Sequence, residues 1–273
     1  MKKMTLRELQ LFSLEILKDV HQFCVDNHIQ YSVSDGTLIG AVRHKGFIPW
    51  DDDIDIIMRR PDFDRFCKIY KSNRFKLKYP ELGDDSKVPY GRVCDLEKTF
   101  VKTVRPWCDE DTGICIDVFP IDGMIENKIK FKKYYKRSRF YFLCNGASRS
   151  AALPFTLKRP GSYNFKLFIK KVVFANGMTT NWLCRKVIRR AKAIEYGKTG
   201  FWGNLSSMVD GIMDYHRNET FTDVVLVNFE DTKVMAMNGY DEYLHDKYGD
   251  YMQLPPVEKR VPHLDKDNVF YWK

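Results

Sequence analysis

Apolar residues recur every three or four positions at Leu9, Phe12, Ile16, Val20 and Phe23, the spacing of one helix face. Thr5 and Glu8 form a capping-box pair, so a helix is expected from about residue 5 to residue 26. Residues 29–34 read as a strand broken by Asp35-Gly36, with a short helix over 36–44 and a loop over 46–49. From Asp53 to Met58 the period changes to two: Ile54, Ile56 and Met58 fall on one face, Asp53 and Asp55 on the other. A helix is expected at 61–71, strands at 88–96 and 114–119, and basic, aromatic-rich helices at 131–145 and 165–174. Leu183, Val187, Ile188 and Ala191 mark a further helix over 181–196. A late strand at 222–227 and a short helix at 240–248 complete the pattern, before the Pro255-Pro256 stop. There is no internal repeat.

The chain has 273 residues, 44% apolar and 30% charged, a balance that supports a buried core and excludes a disordered chain. No continuous apolar run opens it and none reaches 18 residues, so neither a signal peptide nor a spanning helix is expected. The expected location is the cytoplasm, or the inner face of the cytoplasmic membrane as a peripheral protein. The seven cysteines have no C-x-x-C spacing. Most read as reduced, buried thiols; a zinc site from Cys94, Cys108 and Cys115 is an alternative, and a disulfide framework is the least favoured reading.

Charge divides the chain at about residue 126. Residues 127–198 hold 19 Lys and Arg against the single acid Glu195, a balance of +18 within a net +9. Such asymmetry points to an anionic partner: a membrane leaflet, a polyphosphate carrier, an anionic glycan or nucleic acid. A solvated basic face with no partner is the plain alternative. The expected organisation is a core over 1–126, a basic helical region facing an anionic partner or membrane over 127–215, and a C-terminal segment over 216–273 that packs back on the core.

The chemistry concentrates in 34–55. Asp51, Asp52, Asp53 and Asp55 repel one another unless a cation or basic group sits among them. If the strand starts early enough, Asp51, Asp53 and Asp55 share a face. Carboxylate oxygens are hard ligands suited to Mg2+ or Mn2+, whose shell substrate phosphates complete. The EF-hand pattern is absent after Asp51. Gly36 and Thr37 precede the cluster at a strand end, where glycine lets backbone amides approach a phosphate; Arg43 and Lys45 suit diphosphate charge. Trp50 suits stacking on a base, cation–π contact with an ammonium group, or a structural role. His44 and His216 read first as polar or packing residues, and Tyr240, Tyr243, Tyr248 and Tyr251 as packing for the C-terminal segment.

The run DGTLIGAVRHKGFIPWDDDIDIIM over 35–58 resembles the signature of the LicD family of phosphotransferases. IDVFPIDG over 116–123, YDEYLHDKYGDYMQLPPVEKR over 240–260 and the N-terminal 6–31 are similar to further blocks of that family. The resemblance spans roughly 5–125 and 220–262, leaving 127–215 as the expected seat of acceptor specificity. It implies an α/β (α+β) nucleotidyltransferase-like core, a mixed sheet flanked by helices, with a basic helical insertion. It implies transfer of a phospho-alcohol, foremost phosphocholine from CDP-choline, to a hydroxyl of a cell-surface glycan or its lipid-linked precursor, with release of CMP. CDP-ribitol or CDP-glycerol are alternative donors. By the same resemblance Asp53, Asp55 and Asp117 are catalytic, Asp51, Asp53 and Asp55 hold the metal, and Gly36, Thr37, Arg43, Lys45 and Trp50 serve the donor. Asp117 is the candidate base, with metal ligation as its alternative. Three rivals remain at this point: a true nucleotidyltransferase, a nucleic-acid binder using the basic region, and a non-catalytic scaffold. The acidic cluster argues against the last two, and no nucleic-acid partner is expected.

Overall fold

The computed structural model describes residues 1–84, 86–103, 113–149, 177–208, 214–261 and 268–273. Helix α1 (Leu6–Asp26) starts where the capping box directs it. The Glu8 amide donates to the Thr5 hydroxyl at 3.2 Å, and the Thr5 amide donates to the Glu8 carboxylate at 2.8 Å. Leu9, Phe12, Ile16, Leu17 and Val20 are buried on its inner face, each stabilising the fold by about 1.5–3 kcal/mol.

The central sheet has the order β2 (Ser32–Val33), β3 (Asp55–Arg59), β7 (Cys115–Gly123), β5 (Gly91–Cys94) and β4 (Lys76–Lys78). Pairing is antiparallel except between β3 and β7, which run parallel, so the sheet is mixed. The crossover from β3 includes α3 (Arg60–Ile69), whose Phe63 and Phe66 are buried. Arg60 fastens α3 to β7 through Asp122, with Nε and Nη2 donating at 2.7 and 2.6 Å. Both residues are buried, so removal of either would leave an uncompensated charge. The far end of β7 pairs with β8 (Phe201–Gly203), and β8 with β9 (His216–Arg217).

Two smaller sheets tie distant segments together. β12 (Asn268–Trp272) lies between β1 (Lys2–Lys3) and β6 (Thr99–Thr103). β10 (Val224–Phe229) and β11 (Thr232–Met237) form a hairpin turned by Glu230 and Asp231, with Glu230 at φ 55°. The Glu230 amide donates to the Lys45 carbonyl at 2.7 Å, and its carboxylate accepts from Arg7 and from the Phe47 amide. This hairpin partner, and the short β4 and β8, are absent from the sequence reading. The three residues of β4 and of β8 are too few to show a period; β11 has six, but its inner half, Val234 to Met237, is buried throughout, so the polar–apolar alternation of a strand is missing there.

Helices α4 (Lys128–Arg149) and α5 (Gly177–Ala191) pack on each other. They enclose a second apolar cluster of Met124, Phe131, Tyr135, Ala191, Leu205 and Met208. The helix expected over 165–174 lies outside the described residues. Among the described residues no helix is long and apolar enough to cross a membrane.

The cysteine reading requires correction. Cys94 and Cys115 stand opposite each other on β5 and β7, Cα atoms 4.0 Å apart, and form a disulfide. Strand register, which spacing in the sequence does not reveal, brings them together. Two of the three sulfurs of the alternative zinc site are thereby used, and Cys108 lies outside the described residues. Burial pushes the Cys24 thiol up and the Cys67 thiol to about 12, as expected of inert thiols.

Candidate active site

The site forms at the beginning of β3 and β7. Asp55 opens β3 and Asp117 lies directly opposite on the parallel β7, so both side chains leave the same face of the sheet. Arg92 of β5 stands opposite Asp117 from the other side. Asp51, Asp52 and Asp53 lie in the extended segment before β3 and bring one carboxylate oxygen each within 4.8 Å of one another. The expected sharing of one strand face by Asp51, Asp53 and Asp55 is corrected here. The strand starts only at Asp55, so strict alternation does not reach back to Asp51, and Asp52 joins the close group.

Helix α2 (Asp35–Ile39) holds the opposite wall. Thr37 Oγ1 accepts the Asp55 amide at 3.0 Å, which fixes the start of β3 against α2. Gly36 packs on Asp51: a Cβ there would lie 2.7 Å from Asp51 Oδ2, so a larger residue would displace the carboxylate. A π-helical turn follows (Gly40–His44) and ends on Lys45 at φ 58°. At Gly40 a Cβ would come within 2.5 Å of the Gly46 carbonyl, which explains why that tight return uses glycine.

Asp35, at φ 51°, is held by three donors of helix α6 (Tyr240–Tyr248). Its Oδ1 accepts from Lys247, from the Tyr248 hydroxyl at 2.7 Å and from the Tyr243 hydroxyl at 3.2 Å. Lys247 also donates to Asp214 at 3.0 Å. Burial pulls the Lys247 ammonium down, but Asp35 and Asp214 more than offset it and hold it above its ordinary value. Behind this network His216 is buried between Trp202 and Tyr243, its ring 4.7 Å from each. Burial, then Lys247, lowers its pKa to about 4, so His216 is a neutral packing residue.

Burial and the neighbouring acids hold the pKa values of Asp51 and Asp55 up. Burial, then Asp53 and Asp52, pushes Asp51 up to about 8. Burial pushes Asp55 well above the carboxylate range, with Asp53, Asp117 and Asp35 adding to the effect. Such groups hold protons unless positive charge enters among them. Ligand oxygens on opposite sides of a six-coordinate ion with bonds of about 2.1 Å are roughly 4.2 Å apart, so three oxygens within 4.8 Å suit a small hard cation.

A groove of about 700 Å³ is lined by Trp50, which precedes Asp51 in the chain, and by Tyr248, which donates to Asp35. Arg43 and Arg260 both line it, with Tyr251 and Pro255. Arg43 Nη1 donates to the Tyr251 and Gln253 carbonyls at 2.5 and 3.2 Å; burial and Arg260 lower its pKa. The Arg260 guanidinium lies 5.7 Å over the Trp50 ring, so one face of that indole already meets a cation. Lys45 is exposed, donates to the Val42 carbonyl at 2.9 Å and does not line this groove. Its carbonyl is engaged by Glu230, which sets it on the hairpin side. His44 sits edge-on to Trp50. Asp35, Arg92, Lys247 and Arg260 were not singled out for chemistry in the sequence, and Tyr248 was read first as a packing residue. Asp35, Lys247, Tyr248 and Arg260 lie in the blocks 35–58 and 240–260, whereas Arg92 lies in neither and folding alone sets it opposite Asp117.

The LicD/FKTN/FKRP nucleotidyltransferase-domain family model matches residues 28–145, which contain Asp35, Asp51, Asp52, Asp53, Asp55 and Asp117. The lipopolysaccharide cholinephosphotransferase LicD of Haemophilus influenzae is 33% identical over 270 residues, 96% of this chain and 97% of the relative. The chain belongs to the LicD family. The chain also resembles an uncharacterized protein of Rickettsia typhi, 33% identical over 50% of this chain and 42% of that one. An uncharacterized Rickettsia prowazekii protein is 48% identical over a shorter stretch, 18% of each chain. LicD membership makes the protein a transferase of phosphate-containing groups.

Proposed function

We propose that this LicD-family protein transfers phosphocholine from CDP-choline to a hydroxyl of a cell-surface glycan or its lipid-linked precursor and releases CMP. The observation that carries the reading is the in-register pair Asp55 and Asp117 with Asp51, Asp52 and Asp53 just before β3, together with a groove, lined by the adjacent Trp50, that holds two arginines. The full-length likeness to a lipopolysaccharide cholinephosphotransferase supports the choice of alcohol and acceptor class. A nucleotidyltransferase-like core is proposed for the mixed sheet.

Asp51, Asp53 and Asp55, with Asp52, would hold Mg2+ or Mn2+. Bound there, the ion would neutralise the donor diphosphate and the charge that develops on the departing CMP. Arg43 and Arg260 bind the remaining phosphate charge along the groove, and Trp50 and Tyr248 flank it with aromatic surface. Gly36 and the α2 amides leave room for a phosphate to approach, while Thr37 keeps Asp55 in place through its backbone. The acceptor oxygen attacks the choline-bearing phosphorus as the bond to the bridging oxygen breaks, and CMP leaves with that electron pair. Asp117 orients the acceptor hydroxyl and takes its proton. Chemistry of this type depends mainly on positioning and electrostatics.

The test is incubation with CDP-choline or CTP, with Mg2+ and a glycan acceptor. Release of CMP from CDP-choline supports the reading. Pyrophosphate release from CTP, with CDP-choline inert, would assign the same carboxylates to nucleotidyl transfer. CDP-ribitol and CDP-glycerol in parallel assay decide the alcohol.

A further inference from the structure

Helix α4 buries one face and exposes another that is apolar as well as basic. Phe131, Tyr135, Ser138 and Asn145 are buried against the protein. The positions two residues before or after these, rotated by about 200°, point outward. They include Ile129, Phe140 and Leu143, which are 70%, 50% and 45% exposed. Lys133 and Lys136 are exposed on the same stripe. On the neighbouring helix α5, Trp182 is 53% exposed, edge-on to Tyr141, with the Lys186 ammonium 5.7 Å above its ring.

We propose that this outward face of the α4–α5 pair docks the enzyme on an anionic lipid bilayer surface. The inference goes beyond the proposed reaction and does not depend on it. Every charged residue of α4 and of α5 is Lys or Arg, so the surface complements an anionic leaflet. Basic charge alone would fit any polyanion in water. The exposed Ile129, Phe140, Leu143 and Trp182 add apolar side chains that a dissolved polyanion does not cover, and a tryptophan under a lysine suits the headgroup boundary. Ile129, Lys133, Lys136, Phe140 and Leu143 follow one another at three- and four-residue steps, so they reach one plane together.

Co-sedimentation of the full chain with vesicles tests this. Vesicles of phosphatidylglycerol and phosphatidylethanolamine are compared with neutral phosphatidylcholine vesicles over a salt series. At low salt, pelleting with the anionic vesicles is expected to exceed that with neutral ones by about tenfold. Part of the bound fraction is expected to persist at high salt, where charge is screened. Phe140→Glu combined with Leu143→Glu should remove the persistent fraction; Lys133→Glu combined with Lys136→Glu should reduce the salt-sensitive one. Unchanged melting temperature shows that each variant is folded. A wild-type protein that stays in the supernatant at low salt overturns the proposal, as do folded variants that pellet like wild type. Self-association that the Phe140 and Leu143 changes abolish, without vesicle binding, would assign the face to a second copy of this chain and likewise overturn it.

Discussion

Asp55 and Asp117 lie 62 positions apart in sequence and directly opposite one another on the parallel strands β3 and β7. Each carries a carboxylate from the same face of the sheet, and Asp117 contributes to the strong upward push on the Asp55 pKa. Asp53→Asn, Asp55→Asn and Asp117→Asn are therefore each expected to reduce CMP release by at least about a hundredfold, the scale of a lost metal ligand or base. The metal-free melting temperature of the Asp53 and Asp55 variants should not fall, because each removes one of several mutually repelling charges. Retention of more than about a tenth of wild-type turnover in all three would refute the site assignment.

Added Mg2+ or Mn2+ is expected to raise the melting temperature of the wild type. An ion at a hundred times its Kd stabilises by about 2.7 kcal/mol. Asp51→Asn and Asp53→Asn should abolish most of that shift. Differential scanning fluorimetry with and without chelator measures it, and an unchanged shift in both variants would move the cation elsewhere.

Arg260→Ala is expected to raise KM for the CDP-alcohol by about tenfold, the effect of losing roughly 1.4 kcal/mol of phosphate contact. Arg260→Lys should recover part of it, since the charge survives and the planar fork is lost. Steady-state kinetics with varied donor decides: a kcat loss at constant KM would argue against a donor contact.

Lys247→Met removes the cation shared by Asp35 and Asp214 in a buried setting. The expected cost is up to about 3 kcal/mol, below that of a fully buried pair, since two partly buried carboxylates are left uncompensated. Urea unfolding measures this; a change below about 1 kcal/mol would show that the network relaxes into water.

His216 supplies a pH signature. Its folded pKa of about 4 lies below the ordinary 6.5, so below 6.5 the unfolded chain takes up a proton that the folded protein refuses. Stability is thus lost as pH falls from about 6.5 towards 4, by up to roughly 1.4 kcal/mol per pH unit for this one group. Taking the difference between wild type and His216→Phe in saturating Mg2+ isolates it from the carboxylates. A pH-independent difference would show that His216 titrates normally.

The local sequence by itself determined where α1 starts and which of its faces is buried, because the Thr5–Glu8 box and the 3.6-residue period are properties of neighbouring residues. It determined equally the concentration of acid at 51–55, the run that resembles the LicD signature, and the separation of acidic from basic segments. Helix α6 at Tyr240–Tyr248 was legible for the same reason. Strand register was not. Only the folded sheet could set Asp117 against Asp55, place Arg92 opposite Asp117, and join Cys94 to Cys115, because those meetings rest on backbone pairing between segments tens of residues apart. Alternation along a strand would set Asp51, Asp53 and Asp55 on one face; β3 starts only at Asp55, so it is the segment before the strand that gathers Asp51 to Asp53, with Asp53 still close enough to raise the pKa of Asp55. Lys45 and Arg43, two residues apart, part company at the left-handed turn, one held at the hairpin and the other in the groove. Composition records that lysine, arginine and aspartate are present; which of them share a low-dielectric site is decided by long-range packing, which no local period encodes.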